Sequence, residues 1–231
     1  MTSTLNKIRL ITIDLDDTVW PCMPVIQRAE RTLHDWLSKH APMLAAQYNV
    51  DLLREHRRQL MLERPDISHN LTLSRQLSLE NLLRSFGYDP LLSFDAIEIF
   101  RHERNRVTPF DEVIHSLNDL RQRATLISVT NGNAEVENTP LKDLFHHSLT
   151  AADVGAAKPD PAIFYEAMRL ADVSAEHTLH VGDDPLTDIE AARKADIPAV
   201  WMNRGNTEWP KTLRQPDWVI RDLNELTRLI F

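Results

Sequence analysis

The side chains best suited to chemistry in this sequence are acids that follow short apolar segments. The candidate set consists of five aspartates and one lysine: Asp14, Asp16, Asp183, Asp184, Asp188 and Lys158. A carboxylate can act as a nucleophile or carry a proton. If the six side chains meet, their formal charge is −4, which is unstable without a cation. Oxygen ligands without sulfur or histidine favour Mg²⁺.

Two further polar segments stand in comparable positions. Thr130-Asn131-Gly132-Asn133 closes another apolar run, and Lys158 lies just before Pro159 at a predicted loop-to-helix junction. Any one of these segments would be explained as an ordinary turn, because acids and glycines are common in turns. Their repetition at the ends of successive apolar runs indicates a shared site.

The elements that must position these side chains alternate between strand and helix. Short buried strands are predicted at Ile8–Asp14, Leu126–Thr130, Thr178–Asp183, Ala199–Met202 and Trp218–Ile220. Helical patterns separate them at Asp111–Gln122, Asp160–Ala171 and Asp188–Ala195. This alternation predicts a parallel sheet wrapped by helices, in which the carboxyl ends of the strands meet at one edge.

A long insertion interrupts the alternation with helices alone. They are predicted at Val25–His40, Asp51–Glu63, Leu71–Phe86 and Pro90–Arg106. Residues 19–106 carry 12 Lys/Arg against 11 Asp/Glu, a net charge of +1, so the rest of the chain carries −9. We therefore predict an α/β fold, with a doubly wound parallel-sheet core at 1–20 and 107–231 and an all-helical cap domain at 21–106.

Composition narrows the possible functions. The net charge of −8 argues against nucleic-acid binding, which depends on basic surfaces. Cys22 is the single cysteine, so an intrachain disulfide is excluded and a reducing compartment is favoured. The segment Met1–Leu10 lacks the apolar core of a secretion signal or a membrane span. We expect a cytoplasmic enzyme acting on a small molecule, without nucleic-acid or membrane partners and with its oligomeric state open.

Four segments, in this order, resemble the signature motifs of the haloacid dehalogenase superfamily. They are Asp14-Leu15-Asp16-Asp17-Thr18, the strand ending in Thr130, Lys158-Pro159, and Gly182-Asp183-Asp184 with Asp188. The resemblance covers essentially the whole chain, because residues 21–106 stand where many members carry a helical cap. It implies a Rossmann-like core built around an aspartate nucleophile.

The resemblance further implies a Mg²⁺-dependent phosphatase. Asp14 would attack phosphorus and form an aspartyl-phosphate. Asp16 would protonate the leaving oxygen and then activate the hydrolytic water. Mg²⁺ would be held by the carboxylates of Asp14 and Asp183 and by the backbone carbonyl of Asp16, with Asp184 in support.

The remaining motif residues would bind the transferring group. Thr130 and the backbone N–H of Asn131 would hold phosphoryl oxygens, as the resemblance implies. Lys158 would neutralise their charge, and Asp188 would orient its ammonium. Such preorganised charge suits phosphate monoester hydrolysis, which is very slow without a catalyst.

Three rival interpretations share parts of this pattern. A 2-haloacid dehalogenase also uses an aspartate nucleophile, but those enzymes lack an acid at the position of Asp16 and need no Mg²⁺. A phosphomutase shares every motif and stays open as an alternative. A phospho-receiver signalling domain has an acidic Mg²⁺ pocket, a Thr and a Lys, but its acidic pair comes first and it has no large insertion.

A narrower resemblance concerns the substrate. Three segments are similar to the bacterial flavin-pathway phosphatases: Pro24-Val25-Ile26 with Arg28 and Glu30, Thr130–Ala134, and Leu179–Asp184 with Thr187-Asp188. Those enzymes hydrolyse FMN and the phosphorylated ribitylaminouracil precursor of riboflavin. The sequence departs from them at Asn70, where related caps more often carry Asp. Trp20, by stacking on a planar group, and Arg75, from a cap helix, are the candidate substrate-binding residues.

Overall fold

A computed structural model of the chain describes residues 5–230, so both ends of the predicted core ranges, 1–4 and 231, lie outside the described residues. The described part contains one sheet of six parallel strands: β1 (Leu10–Ile13), β2 (Thr125–Thr130), β3 (His147–Thr150), β4 (Thr178–Gly182), β5 (Ala199–Met202) and β6 (Trp218–Ile220). Their order is β3-β2-β1-β4-β5-β6. The order reverses between β1 and β4, which is where such sheets bind ligands.

The helices described by the structure follow in chain order. They are α1 (Cys22–His40), α2 (Pro42–Gln47), α3 (Val50–Glu63), α4 (Leu71–Ser85), α5 (Leu92–Asn105), α6 (Val113–Arg121), α7 (Ala151–Val154), α8 (Ala162–Ala171), α9 (Ala191–Lys194) and α10 (Leu223–Ile230). A π-helical turn at Pro185–Glu190 precedes α9. The predicted fold class, a doubly wound parallel sheet with an inserted helical segment, is confirmed.

The chain divides into two compact units. The sheet unit comprises Met1–Pro21, Thr108–Gly132 and Val136–Phe231, and the helical unit comprises Cys22–Val107 and Asn133–Glu135. None of the helices at residues 5–230 has both the length and the apolar character required to cross a membrane. Each unit has its own apolar core.

In the sheet unit, the central strands are apolar on both faces. All four residues of β1 are buried, as expected for a parallel strand covered on both sides. Helix α8 packs on this sheet through Ile163 and Phe164, beside Leu10 and Val129. This packing fixes the carboxyl ends of β1, β2 and β4 relative to one another.

In the helical unit, α1, α4 and α5 share a core that includes Leu33, Leu83 and Phe100. Asn49 is the N-cap of helix α3, and its side chain accepts from the N–H of Leu52 at 2.9 Å. Asn70 is the N-cap of helix α4 in the same way, and accepts from the N–H of Leu73 at 2.9 Å. An N-cap accepts amide as well as carboxylate side chains, so the departure at Asn70 preserves the start of this helix.

Five elements differ from the sequence-based prediction. Strand β3 was not predicted, because in His147–Thr150 only Leu149 is buried and the apolar pattern is absent. Helices α2, α7 and α10 are short and were also not predicted. The predicted helix Asp188–Ala195 starts earlier, as the π-helical turn Pro185–Glu190.

Candidate active site

Lys158 is the centre of the candidate site, and all the hydrogens of its ammonium group are used. Nζ donates to Oδ1 of Asp14 at 2.7 Å, to Oδ1 of Asp188 at 2.6 Å and to the carbonyl of Val129 at 2.9 Å. An ammonium has three donors, so none is left over. The side chain is 2% exposed, which makes it a buried cation held between two carboxylates.

The carboxylate of Asp188 also contacts the His180 ring and the backbone of Asp184. Its Oδ1 lies 3.2 Å from Nε2 of His180, and its Oδ2 accepts from the backbone N–H of Asp184 at 2.9 Å. On the other side of the ring, Nδ1 of His180 lies 3.0 Å from Oγ1 of Thr12. A buried chain of contacts therefore runs from Thr12 through His180 and Asp188 to Lys158.

Local backbone geometry brings Asp188 close to β4. It lies in the π-helical turn Pro185–Glu190, whose first N–H groups are capped by the side chain of Asp184. A Cβ atom at Gly182 would overlap the Asp188 carboxyl group. A glycine is therefore required at this strand end for Asp188 to reach Lys158.

Asp14 follows β1 directly, and the chain then turns tightly. The N–H of Asp14 donates to the carbonyl of Val181 at 2.9 Å, and the N–H of Val19 donates to that of Leu15 at 2.8 Å. Asp17 has a φ of 59°, in the left-handed region that aspartate tolerates better than most residues. The turn holds the backbone on both sides of Asp14.

Trp20 folds back from the end of this turn onto Asp16. Its indole N–H donates to Oδ1 of Asp16 at 2.9 Å, and the two residues also form an isolated β-bridge. The N–H of Asp17 donates to the carbonyl of Trp20 at 2.8 Å. Trp20 is 0% exposed, and the contact that the structure records for its polar atom is with a predicted catalytic residue.

Thr130 and Asn131 lie at the end of β2. The hydroxyl of Thr130 accepts from the N–H of Gly132 at 2.9 Å. The Asn131 side chain accepts from the N–H of Lys158 at 2.7 Å and donates to its carbonyl at 2.8 Å. This two-bond contact fixes the backbone of Lys158, a function of the Asn131 side chain that the sequence analysis did not predict.

Asp183 lies at the end of β4, beside the same set. The hydroxyl of Thr18 donates to its Oδ1 at 3.4 Å, and the indole of Trp201 donates to its carbonyl at 2.7 Å. Oxygen atoms of Asp14, Asp183 and Asp188 all lie within 4.8 Å of one another. The structure thus brings together the acids of the first and last motifs with the lysine of the third.

The charges of this set are not balanced. Burial raises the pKa of Asp14 well above its usual value, against the opposing charge of Lys158. Burial and then the charge of Asp188 raise the pKa of Asp183 to about 7. Burial alone would also raise the pKa of Asp188, but Lys158 and His180 hold it below its usual value. Lys158 is therefore shared between Asp14 and Asp188, and its charge does not offset the burial and mutual repulsion that raise the pKa values of Asp14 and Asp183.

The residues present fit a hard divalent cation such as Mg²⁺. Asp14 and Asp183 offer carboxylate oxygens, and the carbonyl of Asp16 belongs to the same turn. Both oxygens of Asp188 already accept hydrogen bonds, so it is better suited to holding Lys158 than a metal. A bound cation would favour the ionised carboxylates, whose pKa values are raised in the protein alone.

Arg75 lies in the helical unit and makes its contacts there. Its guanidinium lies 3.5 Å from the centroid of the Phe100 ring and 3.8 Å from the carboxylate of Glu30. The residue is 6% exposed. These recorded contacts of Arg75 are with residues of the helical unit that are not among the predicted site residues.

Two residues near this site were missed by the sequence analysis. His180 lies within β4, where its apolar neighbours predict a buried strand position but do not identify a partner. Arg204 follows β5 and donates to the carbonyl of Thr18 at 2.9 Å and to Glu112 at 2.6 Å, with its guanidinium 3.9 Å from the centroid of the Phe110 ring. Both residues are polar and lie close to the carboxyl end of a predicted strand, and this position could have indicated His180 and Arg204 as candidates for the site.

Comparisons with known proteins agree with this geometry. The haloacid dehalogenase-like hydrolase family matches residues 8–196. The 5-amino-6-(5-phospho-D-ribitylamino)uracil phosphatase YigB of Escherichia coli is 32% identical over 98% of both chains. A glyceraldehyde 3-phosphate phosphatase of Methanopyrus kandleri is 27% identical over 86% of this chain and 85% of its own.

A solved structure is similar over almost its full length. The crystal structure of 2-haloacid dehalogenase from Pseudomonas syringae pv. tomato superposes with a TM-score of 0.91 and is 40% identical, covering 96% of this chain and 98% of that one. This chain is therefore similar both to relatives named for phosphate esters and to a structure named for a haloacid.

Proposed function

The chain belongs to the haloacid dehalogenase-like hydrolase family, and on that premise we propose that it hydrolyses a small phosphate monoester through an aspartyl-phosphate on Asp14. The alternatives to be separated from this proposal are a dehalogenase, a phosphomutase and a receiver domain. The family match favours a hydrolase over the receiver domain.

The proposed reaction has two steps. A carboxylate oxygen of Asp14 attacks phosphorus, the bond from phosphorus to the leaving oxygen breaks, and Asp16 gives that oxygen its proton. Water then attacks the phosphorus of the aspartyl-phosphate, the Asp16 carboxylate takes its proton, and Asp14 and inorganic phosphate are released. The acid consumed in the first step is thus restored in the second.

The other residues of the site stabilise the charge on the transferring group. Lys158 is fixed by two carboxylates and by the Asn131 side chain, so it needs no rearrangement during the reaction. In the proposal, Thr130 and the backbone N–H of Asn131 bind phosphoryl oxygens. Mg²⁺, held by Asp14, Asp183 and the carbonyl of Asp16 with Asp184 in support, would neutralise the negative charge of the phosphate.

The observation that carries the proposal is the cluster of Asp14, Asp183 and Asp188, whose carboxylate oxygens lie within 4.8 Å of one another beside a single lysine, Lys158. The half-buried carboxyl of Asp183 lies beside Asp14, and its pKa is raised to about 7 by burial and neighbouring acids. Such an acid destabilises the site unless a cation binds there. Departure of a halide requires neither this cation nor a proton, whereas transfer of a phosphoryl group benefits from both.

The second candidate is a 2-haloacid dehalogenase, favoured by the full-length similarity to the Pseudomonas syringae structure. In that reaction Asp14 would attack carbon and displace halide. Asp16 would then have no proton to deliver, although the indole of Trp20 holds its carboxyl group. For this reason we rank the dehalogenase below the phosphatase.

For the substrate, we propose a phosphate ester of the riboflavin pathway, either FMN or the phosphorylated ribitylaminouracil precursor. The support is the identity of 32% over 98% of both chains with the Escherichia coli enzyme named for that precursor. We further propose that the helical unit acts as a cap and that the enzyme works in the cytoplasm on a small molecule, without nucleic-acid or membrane partners.

One substrate panel separates these candidates. Purified protein is incubated with p-nitrophenyl phosphate, FMN, several sugar phosphates and 2-chloropropionate, each with Mg²⁺ and with EDTA. We expect phosphate release that depends on Mg²⁺ and no release of chloride. Chloride release that is insensitive to EDTA would overturn the proposal in favour of the dehalogenase, and isomerised sugar phosphate without free phosphate would indicate a phosphomutase.

A further inference from the structure

Trp20 contacts the carboxyl group that the proposed mechanism uses as its acid. The indole N–H donates to Oδ1 of Asp16 at 2.9 Å, four residues earlier in the chain. The backbone reinforces this contact, because the two residues form a β-bridge and the carbonyl of Trp20 accepts from the N–H of Asp17 at 2.8 Å. The ring is fully buried, so its orientation is restricted by packing as well.

The direction of this hydrogen bond distinguishes the two oxygens of Asp16. An indole nitrogen is a donor only, so Oδ1 must accept and cannot point a proton at the ring. The carbonyl oxygen of a carboxylic acid is a stronger acceptor than its hydroxyl oxygen, so this hydrogen bond favours the proton on Oδ2 when Asp16 is protonated. A carboxylic acid that could rotate freely would expose either oxygen and would lose the orientation on which proton transfer depends.

We propose that Trp20 is a positioning residue for general acid catalysis, which holds Asp16 so that Oδ2 delivers the proton to the leaving group. This inference rests on the proposed phosphatase function and adds to it a residue and an atom. It also assigns Trp20 a role other than stacking on a planar substrate. The two roles predict different sets of affected substrates when Trp20 is replaced, because a stacking role would affect FMN alone.

The test is Trp20→Phe, which removes the N–H but keeps an aromatic ring. Trp36→Phe in α1 is the matched control, because it makes the same change at a half-buried position of the helical unit. Three substrates are compared: p-nitrophenyl phosphate, whose leaving group departs readily without a proton, glycerol phosphate, whose alkoxide needs one, and FMN. Thermal melting of each variant shows whether it is folded.

We expect Trp20→Phe to lower kcat/KM for glycerol phosphate and FMN by about tenfold, a fraction of the 10²–10⁴ that a general acid contributes. For p-nitrophenyl phosphate the loss should be about threefold or less. Trp36→Phe should change none of the three substrates. A loss confined to FMN would instead support stacking and overturn the positioning role, as would equal losses for all three substrates.

A double-mutant cycle between Trp20 and Asp16 provides a second test, because a purely structural role of Trp20 would not make its effect depend on Asp16. If Trp20 acts through Asp16, Trp20→Phe should cause no further loss when Asp16→Asn is already present. Additive losses in the double variant would contradict the inference. Failure of the proposed function is distinguishable, because the wild-type protein would then release no phosphate from any of the three substrates.

Discussion

Buried charges are arranged differently in the two units. In the helical unit, the carboxylate of Glu103 accepts hydrogen bonds from Arg28 at 3.1 Å and from Arg106 at 2.8 Å. Its negative charge is therefore paired with two positively charged guanidinium groups. In the sheet unit, Lys158 is the cation bonded to both Asp14 and Asp188, and Asp183 lies beside them. The charge of Glu103 is thus compensated by neighbouring arginines, whereas the three carboxyl groups of the sheet unit exceed the single positive charge of Lys158.

The difference indicates which buried charges serve stability and which serve chemistry. The arginine partners of a buried acid offset the cost of its desolvation, and the pairs contribute modestly to stability. Unbalanced carboxylates at the carboxyl ends of strands are retained at a cost in stability, as expected of a site that binds a cation and a reacting group. Variants in the two units should therefore affect different measurements.

The largest effect is expected from Asp14→Asn. The amide has nearly the same shape but is not a nucleophile, so kcat for p-nitrophenyl phosphate should fall by about 10⁴-fold or more. The melting temperature should not fall, because a buried and poorly compensated charge is removed. An active Asp14→Asn protein would show that the unbalanced charge of the sheet unit does not mark the nucleophile.

Removal of divalent cations comes next. After dialysis against EDTA, turnover should fall by about 10³-fold, since the preorganised charge that the metal supplies is lost. Added Mg²⁺ should restore it. Activity that persists after chelation would mean that Asp183 is a structural acid, and the contrast between the two units would lose its basis.

A smaller effect is expected from His180→Phe. The substitution keeps a buried ring but removes the contacts with Thr12 and Asp188, so the orientation of Lys158 is loosened. We expect kcat to fall about tenfold with KM changed by less than about twofold. The kinetic constants are measured with p-nitrophenyl phosphate, and Trp36→Phe is the control. A change in melting temperature without a change in kcat would place His180 among the packing residues.

The smallest effect is expected in the helical unit, from Glu103→Gln. Burial opposes ionisation there, but Arg106 and Arg28 hold the pKa of Glu103 below its usual value. The ion pairs therefore stabilise the fold at neutral pH, and this contribution is lost as the pH falls through the lowered pKa. Because both arginines are partly exposed, we expect about 0.5–1 kcal/mol.

Melting curves at neutral and acidic pH test this expectation. Glu103→Gln should melt lower than wild type at neutral pH and equally at acidic pH, with kcat unchanged. A large fall in kcat with an unchanged melting temperature would show that the helical unit also uses its buried charge for chemistry.

The sequence predicted the buried strands of the sheet better than the exposed edge strand. The central strands were predicted because Ile11 and Val181 lie in short, mainly apolar segments, and the acids that follow these strands could be assigned to one edge of a parallel sheet. Edge strand β3 could not, because its exposed residues carry no pattern. The signal for a strand is burial, and this strand is hardly buried.

Side-chain partners were harder to predict than positions. Nothing in the sequence pairs His180 with Asp188, or Arg75 with Glu30, because these contacts depend on packing between separate elements. Trp20 shows the same limitation at short range. Its position beside the predicted acid was evident, but the tight turn that aims its N–H at Asp16 is a product of the backbone bonds around Asp17.

The central claim, a phosphoryl group carried on Asp14, is tested most directly by one single-turnover experiment in water labelled with a heavy oxygen isotope. Enzyme in excess is mixed with substrate, and the reaction is quenched in acid and digested. The masses of the peptide containing Asp14 and of the released phosphate are then measured by mass spectrometry. Water that attacks phosphorus puts its oxygen into phosphate, whereas water that attacks an ester carbonyl puts it into the aspartate.

We predict a transient phosphoryl adduct on the Asp14 peptide, heavy oxygen in the phosphate and none in Asp14. Heavy oxygen in the Asp14 side chain, or phosphate release with no adduct on that peptide, would contradict the account.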